Sequence, residues 1–226
     1  MAYTAAGSPA YLIGKGGEAA EDTNTRVLIN PYRQLLEKQM NEVIANTSGP
    51  ALKSLPESSL GNLICDVIRQ EVEKNFAVRV DVCLLNSGGL RIELPEGPIT
   101  RSMVYELMPF ENELVLVQLS GSSLKLLLDQ VAARGGGPLS GLRMKITDGH
   151  VHSISIGDLP LQDTVVYNLI SSDYIIGGGD RFKIPTLLSQ QPLNLKVRDA
   201  ILQGFIRTTQ SGKLLIPMKD GRVILE

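Results

Sequence analysis

Apolar residues recur at helical spacing in four stretches of the chain. In residues 60–76, Leu63, Ile64, Val67 and Ile68 share one face with Glu, Lys and Arg opposite, which predicts an amphipathic helix. Residues 122–134 repeat the pattern with Leu124, Leu127, Leu128 and Val131, and Gly135-Gly136-Gly137-Pro138 closes it. Residues 195–206 carry Val197, Ala200, Ile201 and Phe205 at the same spacing. Nearer the start, Asn30-Pro31 reads as a cap and first helical residue, with Leu36, Met40, Val43 and Ile44 continuing a helix to Thr47-Ser48-Gly49-Pro50. A short helix over residues 103–107 has Thr100 as its cap.

Short apolar runs predict strands at residues 25–29, 78–85, 113–119, 165–171, 213–216 and 222–225. Residues 142–147 and 150–156 flank Asp148-Gly149, a strong hairpin signal. Residues 1–25 are small, polar and glycine-rich, and predict a poorly ordered arm before a domain over residues 26–226. Within the arm, Gly14-Lys15-Gly16-Gly17 fails as a phosphate loop, because the preceding glycine is at the wrong distance and no Ser or Thr follows Lys15.

Composition narrows the function classes. With 226 residues, 43% hydrophobic and 20% charged, the chain has the make-up of a globular protein rather than a disordered or fibrous one. A net charge of -2 and the lack of a basic run with interleaved aromatics argue against nucleic acid as a partner. No stretch approaches the roughly 18 apolar residues of a membrane span, and residues 1–17 lack the charged start and apolar core of an export signal.

Three stretches carry candidate chemistry. Asn86-Ser87-Gly88-Gly89-Leu90-Arg91 follows an apolar run, and its glycines allow close backbone approach while Asn86 and Arg91 offer donors suited to phosphate or carboxylate. Phe110 stands between Pro109 and Glu111-Asn112, unusual company for a core aromatic. Tyr174 supplies a second aromatic face ahead of Gly177-Gly178-Gly179-Asp180, where one carboxylate can accept two hydrogen bonds from a sugar. Each stretch has a plainer reading as a turn or a core plug. His150 and His152 share a strand face but lack a convincing third and fourth ligand, so they read as exposed strand residues. Cys65 and Cys83 are either two buried thiols or a disulfide closing a loop of about eighteen residues, worth on the order of 3 kcal/mol.

Taken in order, Asn86-Ser87-Gly88-Gly89-Leu90-Arg91, Pro109-Phe110-Glu111-Asn112, Asp173-Tyr174 and Gly178-Gly179-Asp180 with Phe182 resemble the carboxy-terminal domain of the 5'-nucleotidases. Supporting similarity runs from Asn30-Pro31-Tyr32 through Gly61-Asn62-Leu63-Ile64 to Gly221-Arg222-Val223. The resemblance implies an α+β domain with α/β/β/α layering that binds a nucleotide and presents it to a metallophosphatase domain, in nucleotide catabolism. It implies that Phe110 and Tyr174 sandwich the base, that Asn112 and the backbone of Gly141 lie at the base edge, that Asp180 holds the ribose hydroxyls, and that Asn86 and Arg91 face the phosphate. Cys65 and Cys83 fall where some exported members have a disulfide, which implies the periplasm or cell envelope.

Two departures stand out. Where the family has a further arginine, Leu52-Lys53-Ser54-Leu55 offers Ser54 with Lys53 beside it, which predicts weaker phosphate binding. Arg181 replaces a glycine after Asp180, and either compensates with a second guanidinium or crowds the pocket. Two histidines cannot build a dinuclear phosphoesterase centre. The expectation is therefore a chain that is not catalytic alone and carries no cofactor, with divalent metals on a metallophosphatase partner chain. The alternatives are a standalone nucleoside- or nucleotide-binding protein, and an interaction module whose pocket has decayed.

Overall fold

The computed structural model describes residues 23–226. All but the last three positions of the expected arm, residues 1–25, lie outside the described residues, as does Gly14-Lys15-Gly16-Gly17. The elements are α1 (Thr23–Met40), β1 (Val43–Thr47), α2 (Ser59–Phe76), β2 (Val82–Leu84), β3 (Gly97–Thr100), α3 (Arg101–Leu107), β4 (Glu113–Ser120), α4 (Gly121–Ala132), β5 (Leu139–Ser140) and β6 (Leu142–Thr147). They continue with β7 (His150–Ile156), β8 (Leu159–Pro160), β9 (Val166–Ser172), α5 (Asp173–Ile176), β10 (Ser189–Lys196), α6 (Val197–Gln210) and β11 (Val223–Leu225). The chain divides into two compact units, Met1–Gln39 and Met40–Glu226.

The second unit is organised by a five-stranded sheet in the order β10-β4-β9-β2-β5. Only β2 and β9 run parallel in it; the other pairs are antiparallel. Successive side chains of a strand point to opposite faces, and this sheet buries both. Leu114, Leu116, Cys83 and Ile170 face one core, shared with Leu60, Ile64, Ile68 and Val72 of α2 and Ala200, Ile201 and Phe205 of α6. Val115, Val117, Leu119, Val82, Leu84 and Leu169 face the other, shared with Leu124, Leu127, Leu128 and Val131 of α4. A four-stranded sheet in the order β11-β6-β7-β8 closes that second core through Met144, Ile146, Ile154 and Ile156. The layered α+β architecture is the one the sequence implies.

The amphipathic helices form where their spacing predicts. Ser58 caps α2 by accepting from the Gly61 amide, and Thr100 caps α3 by accepting from the Met103 amide. The hairpin β6–β7 turns on Asp148-Gly149, both at positive φ.

The amino-terminal third differs from expectation. Residues 25–29 are not a strand, and Asn30-Pro31 does not begin a helix; both lie within α1, with Pro31 in its interior. An apolar run of that length reads equally as strand or helix by periodicity. Val43 and Ile44 belong to β1, which pairs antiparallel with β3, so the predicted helix stops before them. Their β-branched side chains suit a strand, and their partner is some fifty residues away, beyond any local pattern. Residues 213–216 form no strand, but Leu215 bridges to Thr47. The missed strand β10 is an edge strand beginning Ser189-Gln190-Gln191-Pro192, too polar to show a buried face and with proline at the tolerated edge position.

Candidate functional site

Four strands bring their loops to one edge of the five-stranded sheet. The parallel pair β2 and β9 both end there, antiparallel β4 begins there, and β10 ends there. The loops after β2, before β4 and after β9 therefore meet by topology, although they are far apart in sequence.

The first loop leaves β2 at Asn86 and makes a tight turn over Ser87–Gly89, closed by a bond from the Gly89 amide to the Asn86 carbonyl at 3.1 Å. A side chain at position 89 would put its Cβ 2.9 Å from Asn86 Oδ1, so glycine keeps the asparagine in place. The Arg91 amide then anchors the loop on the Leu107 carbonyl at 2.8 Å. The Arg91 guanidinium donates to the Gly88 carbonyl at 3.3 Å and lies 5.9 Å from the centre of the Phe110 ring, which leaves most of its donors free.

The second loop follows α3 and carries Phe110. Beneath it lies Arg198, only 6% exposed, whose guanidinium donates to Glu111 Oε1 at 2.5 Å and to the Met108 carbonyl at 3.4 Å, and stacks 4.4 Å over Tyr105. Glu111 also accepts from Lys196. The hydrogen bonds from Lys196 and then Arg198 hold the Glu111 carboxyl down at about 2. The Asn112 carbonyl takes the Val197 amide at 2.9 Å, which ties the loop to the start of α6.

The third loop begins at α5, capped by Ser172, and runs through Gly178 to Phe182. Tyr174 OH donates to Asp180 Oδ1 at 2.8 Å and accepts the Asp180 amide at 3.1 Å. Asn86 Nδ2 reaches Asp180 Oδ2 at 2.9 Å, and Asn112 Nδ2 reaches Asp173 Oδ1 at 2.9 Å, so all three loops are joined by side chains. Gly179 packs directly on the Tyr174 ring, where a Cβ would sit 2.5 Å from a ring carbon. Asp180 and Arg181 both have positive φ, 51° and 59°, a conformation that side chains disfavour.

These loops enclose a cleft of about 250 Å³ lined by Asn86, Arg91, Phe110, Asn112, Tyr174 and Asp180 among others. Phe110 and Tyr174 are 41% and 42% exposed, so both rings offer an open surface to a planar ligand. Each Asp180 oxygen already accepts one bond and keeps capacity for another, enough for a pair of hydroxyls.

The remaining sequence candidates lie elsewhere. Gly141 is absent from the cleft and lines a separate polar cavity with Asp66, Asp81 and Arg222. Its φ of 85° and a would-be Cβ 2.0 Å from the Asp81 carbonyl explain the glycine through main-chain packing, which corrects its expected place at the base edge. Ser54 donates to the Glu57 carbonyl, and Lys53 to the Leu90 carbonyl at 2.7 Å. Arg181 is exposed and does not line the cleft. Cys65 and Cys83 are buried free thiols facing each other across α2 and β2. Burial and the hydrogen bond to Cys83 push the Cys65 thiol up. His150 and His152 are exposed, and among the described residues no group of three or more His, Cys, Asp or Glu can hold a metal ion.

Sequence reasoning passed over Arg134 and Arg198. Arg134 donates to the Asp180 carbonyl at 3.1 Å and stacks 4.0 Å over the Phe182 ring, which steadies the third loop. A lone arginine before three glycines carries no local sign of that role.

Residues 43–186 match the family model described as 5'-nucleotidase, C-terminal domain. The chain belongs to this family. Among similar proteins, a 5'-nucleotidase of Bos taurus is 28% identical over 97% of this chain and 43% of its own length. A 5'-nucleotidase of Vibrio vulnificus is 27% identical over 73% of this chain and 31% of its own length. The chain thus spans less than half of these relatives. A solved 5'-nucleotidase precursor from Thermus thermophilus shares the fold, with a TM-score of 0.75 at 24% identity over 91% of this chain and 43% of its own.

Proposed function

We propose that this C-terminal domain binds a nucleotide for a 5'-nucleotidase-type phosphohydrolase of nucleotide catabolism. The observation that carries the reading is the convergence of Asn86, Arg91, Phe110, Asn112, Tyr174 and Asp180 on one cleft. In this reading the base stacks between Phe110 and Tyr174, a contact that tolerates different bases because each has a π face. Asn112 meets the base edge, Asp180 accepts the ribose hydroxyls, and Asn86 and Arg91 face the phosphate. The phosphate is presented to a metallophosphatase domain outside these 226 residues, which would hold the divalent metals, since the donor sets described in this chain do not fit them. A similar Listeria monocytogenes protein is a cell wall protein and the Thermus neighbour is a precursor, which supports export to the periplasm or cell envelope.

Calorimetric titration with adenosine and with AMP tests this reading. Both bind, and Phe110→Ala weakens both by the stacking energy of about 1 to 3 kcal/mol. A mutant that binds as tightly as the wild type would remove Phe110 from the ligand.

A further inference from the structure

Two side-chain bridges cross the cleft. One joins Asn86 to Asp180; the other joins Asn112 Nδ2 to Asp173 Oδ1, each at 2.9 Å. Asn112 stands two residues after Phe110 and Asp173 immediately before Tyr174, so the second bridge ties together the chain segments that carry the two rings. Asn112 lines the cleft with both rings, whereas Asp173 does not and holds the amide from outside it.

This bridge decides what Asn112 offers a ligand. Asp173 Oδ1 also accepts the Tyr174 amide at 2.7 Å, which fixes the carboxylate on the first turn of α5. An ionised carboxylate only accepts hydrogen bonds, so the Asn112 amide must turn its nitrogen toward Asp173 and its oxygen away. One of the two Nδ2 hydrogens is thereby spent. Oδ1 keeps both lone pairs, since no donor among the described residues reaches it. Asn112 is left mainly an acceptor, in a fixed orientation, beside a negatively charged neighbour.

With the ribose hydroxyls on Asp180, a base stacked between the rings turns its edge remote from the sugar toward the other bridge. In adenine and hypoxanthine the heavy atom farthest from the glycosidic nitrogen is the substituent on C6, and in cytosine and uracil it is the substituent on C4. That substituent is an amine in adenine and cytosine, and a carbonyl oxygen in hypoxanthine and uracil. An amine donates to Asn112 Oδ1, whereas a carbonyl oxygen sets acceptor against acceptor and leaves both unpaired. We propose, resting on the nucleotide reading above, that the cleft selects nucleotides whose base carries this exocyclic amine. Asp173 is the positioning residue that sets the selection, through its hold on Asn112.

The test is calorimetry of the purified chain with adenosine, inosine, cytidine and uridine, read as the affinity ratio within each amine and keto pair. Wild type binds adenosine about tenfold more tightly than inosine, and cytidine about tenfold more tightly than uridine, the effect of one hydrogen bond made or left unpaired. Asp173→Asn keeps an acceptor for the Tyr174 amide but can also donate, so Asn112 turns either way and both ratios fall to about one. Asn112→Ala, which removes the selecting group, gives the same ratios. A purely structural role for Asp173 would weaken all four nucleosides alike and leave the ratios in place. Equal affinity or a keto preference in either wild-type pair, or an amine preference that survives either substitution, overturns the proposal alone. Failure of all four nucleosides to bind overturns it together with the nucleotide reading.

Discussion

The two aromatic walls of the cleft are held by different physics. Phe110 rides on charges: a nearly buried Arg198 and an exposed Lys196 converge on Glu111, and the guanidinium also reaches the loop's carbonyls. Tyr174 rides on shape and its own hydroxyl: glycine under the ring, a left-handed Asp180, and Arg134 donating to a carbonyl. Charge-assisted bonds are strong but respond to acid, whereas close packing of ring on backbone is indifferent to pH and intolerant of added atoms. The same substitution logic should therefore fail differently on the two sides.

The largest effect is expected at Arg198. Arg198→Met removes the guanidinium from the Met108 carbonyl and from Glu111, and lowers the free energy of unfolding by about 2 to 3 kcal/mol, read by denaturant titration. A loss confined to ligand affinity would show that this arginine tunes the loop without supporting the fold. Next comes Gly179→Ala on the other wall, where the new Cβ displaces the Tyr174 ring. Adenosine affinity falls by about tenfold, within the usual cost of overpacking. Gly49→Ala, whose Cβ meets nothing within 4 Å, leaves affinity unchanged.

The smallest effect is the acid response of the Phe110 side. The Glu111 carboxyl sits at about 2 in the folded chain against an ordinary 4.5. A depressed folded value means that its contribution is complete above the unfolded value and is lost as pH falls through the folded one. Wild-type melting temperature thus drops faster between pH 4.5 and 2 than that of Glu111→Gln. Parallel melting curves for the two proteins would assign the acid response to other groups.

What the sequence revealed follows the range of the interactions. α2, α4 and the β6–β7 hairpin declare themselves through spacing, caps and a turn dipeptide within a few residues. β1 does not, because its partner β3 lies far along the chain, and β10 does not, because its polar edge residues have nothing to bury. The cleft residues were legible as motifs, since glycines and unusual aromatic neighbours mark them. Their supports, Arg134 and Arg198, were not, since one hydrogen-bonds 46 residues away and the other 90. Gly141 misled for the opposite reason: its backbone constraint is real but serves the packing of β5 and β6 on Asp81.

The edge where β2, β4, β9 and β10 deliver their loops has one more consequence. The double-faced strands beneath are committed to two cores at once, so a shift of one residue in β4 would exchange its inward sets and disturb both. The loops carry no such obligation. A replaced loop at that edge leaves the strand register, and with it both cores, in place, whereas a slip in the strands that carry it disturbs two cores at once.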